Sequence, residues 1–307
     1  MKLTIEYNAI NERNTFSSGD TLTGQVIVEV SKKTTVKSLT IKAKGKANVL
    51  WSESDGEHSV TYWDSDKYFS QTEAIVPKDH DDGSFTLSPG RNTFPFVIQL
   101  PPNDLPSSFK GESGKVKYHL VAQLRRTLRA QSKAETEFTF VSRPDSLLPL
   151  ARTPQHGAKD KDVGFFSSGN ISMNIYLEKT GYQQGENLII RGEIVNSSTK
   201  KIVPKYTIYQ KQSFFASGKR RLHISYIVKQ KEAALSSISS LTVSKILTIP
   251  SGVTPTILNC RILKVEYRLK VILDVSFTKN PELKLPLVIL PACDGAMAKS
   301  LEAGEHL

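Results

Sequence analysis

Two cysteines in 307 residues cannot build a disulfide framework. Cys260 and Cys293 also lack the short spacing of a metal knuckle, so a reducing compartment is expected. Long apolar runs are missing as well. The greasiest stretch, Leu285 to Leu290, is six residues long and is interrupted by Pro286, whereas a helical membrane span needs roughly 18 apolar residues in succession. The opening Met1-Lys2-Leu3-Thr4-Ile5-Glu6-Tyr7 sets a carboxylate where a signal peptide needs an unbroken apolar core of about 7–15 residues, so the chain is expected in the cytosol. Helical periodicity is nearly absent. The best candidate, Arg125 to Ala134, has only Leu128 as an apolar anchor, which predicts a loop or a single turn between two strands.

What is present is alternation. Val26, Val28 and Val30 alternate with Gln25, Ile27 and Glu29, and Leu39, Ile41 and Ala43 with Thr40, Lys42 and Lys44. The same period returns in Phe94, Phe96, Ile98 and Leu100, in Ile171, Met173, Ile175 and Leu177, and in Val265, Tyr267, Leu269 and Val271. A period of two buries one face of a strand and wets the other, as two antiparallel sheets packed face to face require. With 38% hydrophobic and 23% charged residues, the composition is that of folded rather than disordered chains, and the length suits about two domains. The fold class is all-β, built of sandwiches.

An internal repeat organises them. Pro101, Pro106, Val116, Tyr118 and Leu120 correspond to Pro250, Pro255, Val265, Tyr267 and Leu269, all 149 residues apart. Upstream, Gly19-Asp20-x-Leu22 corresponds to Gly185-Glu186-x-Leu188 at 166, which predicts about 17 extra residues in the first copy, placed within Trp51 to Gly83. The expected boundaries are a first sandwich over residues 1–142, a linker over 143–164, a second sandwich over 165–291 and a short tail over 292–307. Pro144, Pro149, Pro154 and Gly157 mark the linker as a stretch unable to hold a continuous strand ladder. Its apolar patch Leu147-Leu148-Pro149-Leu150 either docks on a domain or only connects.

Catalytic groupings do not emerge. Gly111-Glu112-Ser113-Gly114-Lys115-Val116 resembles a phosphate loop superficially. It has Phe109 where the first Gly belongs and Val116 where a magnesium-binding hydroxyl belongs, and reads better as the turn before a strand beginning at Val116. The histidines are isolated, and Cys260 is expected to be a small buried hydrophobe. No cofactor and no enzymatic activity are expected.

Charge is uneven. Residues 1–150 hold 19 Lys and Arg against 18 Asp and Glu, leaving 22 against 12 for residues 151–307, so nearly all of the +11 belongs to the second half. Lys200, Lys201, Lys219, Arg220 and Arg221 are the candidate contacts for phosphate-rich cargo or acidic lipid if they share a face. The alternative is that they keep sheet edges solvated and unpaired. The first half gathers nine carboxylates between Glu53 and Asp82, interleaved with Trp51, Tyr62, Trp63, Tyr68 and Phe69. That segment is either a partner-binding loop or a strand with solubilising acids. No nucleic-acid partner is expected there.

Several motifs together resemble the α-arrestins, the arrestin domain-containing family. In the first copy these are Gly19-Asp20-x-Leu22-x-Gly24-x-Val26, Ala47-x-Val49-x-Trp51-x-Glu53, Tyr68-Phe69, and Phe94-Pro95-Phe96 leading to Leu100-Pro101. In the second they are Tyr182-x-x-Gly185-Glu186, Asn259-Cys260-x-Ile262-Leu263-x-Val265-x-Tyr267-x-Leu269, and Leu283-x-Leu285-Pro286-Leu287-Val288-Ile289. The resemblance covers nearly all of residues 1–291. It implies two tandem immunoglobulin-like antiparallel β-sandwiches, the arrestin fold. It also implies a non-catalytic adaptor, peripheral at plasma and endosomal membranes, which binds receptors or transporters as cargo and directs their ubiquitin-dependent endocytic sorting. Family members recruit HECT-type ubiquitin ligases through Pro-Pro-x-Tyr motifs, whereas the one Pro-Pro pair here, Pro101-Pro102-Asn103-Asp104, has Asp in place of Tyr. A redox-partner role found in the family depends on a cysteine upstream of the final long strand, and Ser236 to Ile249 has none. The rival expectation is a retromer or coat-type subunit with the same tandem sandwiches.

Overall fold

A computed structural model describes residues 1–56, 58–76, 84–143, 145–162, 169–276 and 279–292. In chain order the first eleven strands are β1 (Lys2–Tyr7), β2 (Thr15–Phe16), β3 (Thr21–Val30), β4 (Thr34–Val36), β5 (Ser38–Asp55), β6 (His58–Ala74), β7 (Phe85–Leu87), β8 (Gly90–Gln99), β9 (Phe109–Lys110), β10 (Gly114–Arg125) and β11 (Ser132–Phe140). Nine more follow: β12 (Gln155–Asp162), β13 (Asn170–Leu177), β14 (Gly181–Gln183), β15 (Asn187–Asn196), β16 (Ile202–Ala216), β17 (Lys219–Lys231), β18 (Ser239–Thr248), β19 (Leu263–Val275) and β20 (Glu282–Leu290). Two compact units form. The first comprises Met1–Arg143 with Phe214–Arg221 and Asn259–Leu263, and the second holds the other described residues.

In the first unit a three-stranded sheet, β1-β3-β8, accompanies the larger sheet β2-β11-β10-β5-β6, with β9 beside β10 and a small β4-β7 pair. The alternating residues behave as their spacing predicts. Val26, Val28, Leu39, Ile41, Ala43, Leu120 and Phe140 are fully buried, and Tyr118 stacks on Phe140 with ring centroids 4.5 Å apart. The second unit repeats the plan with β12-β13-β15-β18 and β14-β20-β19-β16-β17, burying Ile171, Met173, Ile175, Val265, Tyr267, Leu269 and Val271. Among the described residues each unit contains one parallel pairing: Thr15–Phe16 beside Thr139–Phe140, and Gly181–Gln183 beside Val288–Leu290.

The repeated turn motifs find each other. Asp20 accepts from the Ser17 amide at 2.6 Å and Glu186 from the Gln183 amide at 2.7 Å, each closing its turn with a carboxylate. Gly19 (φ 79°) and Gly185 (φ 86°) supply the left-handed backbone these turns need. Each turn then bonds to its own Ile/Leu-Pro motif. The Leu100 amide donates to the Asp20 carbonyl and the Ile249 amide to the Glu186 carbonyl, both at 2.9 Å. The extra length of the first copy is three residues in β5 over β16, four in β6 over β17 and eight in the following connection, with two more ahead of β5.

One local expectation changes. Gln155–Asp162, inside the expected linker, forms β12 and pairs in unbroken antiparallel register with β13 from Gln155↔Leu177 to Asp162↔Asn170. The last proline, Pro154, precedes the strand, and β12 lies at a sheet edge, so the composition does not prevent a ladder there. Arg125–Ala134 spans a connection between two strands, as its sparse apolar pattern predicts: β10 ends at Arg125, β11 begins at Ser132, and Leu128 at the connection is fully exposed. The apolar patch does dock. Leu147 and Leu148 pack against Ala151, Val288 and Leu290, all within the second unit.

Candidate functional site: the charged sheet faces

The five basic candidates do not fall in one unit. Lys200 and Lys201 follow β15 in the second unit, where the Lys200 ammonium donates to the Ser276 carbonyl at 3.0 Å. Lys219, Arg220 and Arg221 open β17 and are grouped with the first unit. They follow a two-residue turn at Ser217-Gly218 with φ of 50° and 72° at its two residues, the backbone that a tight hairpin joining right-twisted strands requires. Arg220 lies 5.9 Å from the Phe215 ring centroid, and Arg221 is 3.8 Å from Glu53.

The acidic, aromatic segment is a strand pair as far as Ala74. β5 and β6 pair from Thr40↔Ala74 to Asp55↔His58, with one register shift at Gly45/Lys46. Tyr68 and Phe69 stack beside Tyr118 at 6.4 and 6.1 Å. Some of the acids have partners: Arg261 is 3.0 Å from Asp64 and 3.8 Å from Asp66, and its hydrogen bond to Asp64 holds that carboxyl below the usual range. Lys78 to Asp82, with His80, lie outside the described residues, as do Glu57, Cys293 and the expected tail after Ala292.

Cys260 is buried, as expected, and accepts a 3.1 Å hydrogen bond from the Tyr68 hydroxyl. Burial pushes its thiol up, away from the thiolate a nucleophile needs. Among the described residues no group of three or more His, Cys, Asp or Glu converges as a metal site, and no helix is long and apolar enough to cross a membrane.

The feature the sequence did not announce is a groove of about 770 Å³ on the first unit. Its walls come from the outward-facing positions of β5, β10 and β11, together with Lys110 and the Gly111–Gly114 turn. Alternation explains the composition. Val116, Tyr118 and Leu120 face the core, so Lys115, Lys117 and His119 face out, and Lys44 and Lys46 emerge likewise from β5 between Ala43, Gly45 and Ala47. Lys117 contacts Glu137, Lys133 sits 2.7 Å from Glu135, and His119 lies 3.6 Å from the same carboxylate. Burial holds the His119 imidazole below its ordinary value, with Lys44, Lys46 and Lys133 acting in the same direction against Glu135. Lys44 is lowered too, first by burial and then by Lys42 and Lys133. The superficial phosphate loop is therefore the turn it reads as, closed by the Gly111 amide donating to the Gly114 carbonyl at 2.8 Å, and it forms one wall of the groove.

Two tandem sandwiches of this topology, each closed by the same carboxylate-capped turn, define the arrestin class of fold. Residues 3–146 match the family model for the N-terminal domain of arrestin, or S-antigen, and residues 167–292 the model for the C-terminal domain. The chain is 34% identical over 284 residues to human "Arrestin domain-containing protein 4", covering 89% of this chain and 68% of that protein, and the mouse protein of the same name is similar at 34% over 283 residues. Human "Thioredoxin-interacting protein" is 29% identical over 286 residues, covering 89% of this chain and 71% of that one. This chain belongs to the α-arrestin family.

Proposed function

We propose that this α-arrestin is a non-catalytic adaptor that binds membrane receptors or transporters and works peripherally at the cytoplasmic face of plasma and endosomal membranes. Membership of a family of arrestin-like adaptors, across both domains, is the observation that carries the reading. Lys219, Arg220 and Arg221 open a long edge strand and would meet phosphorylated cargo or acidic headgroups through charge-assisted bonds; Lys200 and Lys201, in the other unit, are a separate candidate contact of the same kind. Endocytic, ubiquitin-dependent sorting is the process in which such an adaptor would act.

A HECT-type ligase would have to be engaged by something other than Pro101-Pro102. That pair leads into a structural connection, where the Pro101 carbonyl accepts from Gly19 and Asp104 accepts from Asn259 at 2.8 Å. Affinity isolation of the full chain from cells, with quantitative mass spectrometry, tests the reading. Substoichiometric recovery of several membrane proteins is expected. One soluble partner recovered at equal stoichiometry would instead favour a coat-type subunit.

A further inference from the structure

An edge strand carries unpaired backbone donors and acceptors, and soluble proteins blunt such edges with charge, proline, bulges or brevity. Among the described residues, all the sheet edges but one follow this rule. β1 carries Lys2 and Glu6, β6 three carboxylates, β8 Pro95, β12 four charges and β17 five cations, and the other edges are two or three residues long. The exception is β18, which ends the sheet β12-β13-β15-β18. Its ten residues, Ser239–Thr248, pair with β15 without a register shift and contain no proline or glycine. Its one charge, Lys245, is engaged with Glu232 at 2.9 Å.

Which backbone groups face the open side follows from the ladder. The Ile249 amide donates to the Glu186 carbonyl, one step beyond the pair Asn187↔Thr248. Bonded and non-bonded pairs alternate in an antiparallel ladder. Leu241, Val243, Lys245 and Leu247 therefore bond to β15, while Ser240, Thr242, Ser244 and Ile246 direct their amides and carbonyls away from it. The side chains of those four are exposed, Ile246 by 53%. We propose that β18 pairs antiparallel with β18 of a second copy of this chain, joining two four-stranded sheets into one of eight across a two-fold axis at Ser244. Charge selects this occupant. With its one lysine already paired, β18 has nothing to attract a strongly charged segment, and the axis sets Lys245 opposite the partner's Val243, so that no like charges meet. The same register sets Thr242 against the partner's Ile246, a cross-strand pair of β-branched side chains suited to a sheet. The contact is isologous, consumes the same edge on both copies and closes at two. A two-strand seam is small for a specific interface, so association is expected at micromolar rather than nanomolar concentration. The seam does not depend on the adaptor reading. If both hold, pairing doubles the attachment points that one assembly offers to a membrane.

Sedimentation velocity of the purified full chain across the micromolar range tests the seam, and a monomer–dimer equilibrium is expected. Ser244→Lys and Ser244→Glu, at an exposed position, each set like charges head-on at the axis and should weaken the dimer about tenfold. An equal mixture of the two should restore it as a heterodimer, which misfolded chains could not do. Ser244→Pro removes an amide that the β15 ladder does not use and should also give monomer. Lys159→Ala, on β12 at the far edge of the same sheet, should leave the dimer intact. Hydrogen exchange should slow at the amides of Ser240, Thr242, Ser244 and Ile246 as concentration rises. Purified protein alone is needed, so failure of the seam and failure of the adaptor reading stay distinguishable. A monomer at every concentration would overturn the proposal, as would a dimer indifferent to both Ser244 charges or a mixture that stays monomeric. A monomer whose β18 amides are protected by a different protein co-purified at equal ratio would assign the edge to that protein and overturn self-pairing.

Discussion

Lys46 of β5 and Lys117 of β10 occupy one register pair on the solvent face of the first unit's larger sheet, lysine opposite lysine. Removing one charge should relieve the repulsion. Lys46→Gln is expected to leave the free protein as stable as the wild type or more stable, by at most about 1 kcal/mol. Thermal unfolding of both proteins reads the difference.

His119 reports on the same sheet face through its titration. Burial, reinforced by Lys44, Lys46 and Lys133, depresses its pKa, so its midpoint by NMR should lie below the ordinary imidazole value of about 6.5. A depressed folded-state pKa means that the unfolded chain binds the proton more readily. The stability linked to His119 is therefore complete above about 6.5 and lost as pH falls through the folded midpoint.

The two copies share a buried tyrosine anchor. The Tyr118 hydroxyl donates to the Pro106 carbonyl at 2.6 Å, and the Tyr267 hydroxyl donates to the Thr254 carbonyl at 2.5 Å while accepting from Gln210. Tyr118→Phe and Tyr267→Phe each leave a buried partner unpaired and should cost about 1–3 kcal/mol. Tyr267→Phe should cost the more, because it strands both the Thr254 carbonyl and the Gln210 amide. Denaturant unfolding of each variant measures this.

Gly19 and Gly185 have open space around a would-be Cβ, so alanine at either position meets no clash and is penalised only by its backbone conformation. Gly19→Ala and Gly185→Ala should each cost about 1 kcal/mol. Similar values at both sites would reflect the equivalence of the two turns.

The strands, the repeat and the turns were legible because alternation and offset are local or periodic signals. Val26, Leu39, Ile171 and Val265 read out their own burial. β12 was not legible, because three prolines ahead of Gln155 masked a strand that needs pairing on one side only. The groove was hidden for a different reason. Its lysines come from Lys44–Lys46, Lys110–Lys117 and Lys133, which sheet pairing brings together. Summing charge over residues 1–150 averaged them against the acids of β6 and the segment after it, giving a balance near zero. Net charge per half describes a chain, whereas a ligand meets one face of a sheet. Lys219, Arg220 and Arg221 stood out because they are contiguous, a property that bears on visibility in sequence more than on convergence in space.

Sedimentation of the full chain with vesicles containing phosphatidylserine and a phosphatidylinositol bisphosphate, at rising salt, tests most directly the claim that this adaptor works at anionic membranes through its basic side chains. The expected result is binding that falls as ionic strength rises, with a further loss for K219E/R220E/R221E. Binding indifferent to salt and to that charge reversal, or no binding at low salt, would contradict the account.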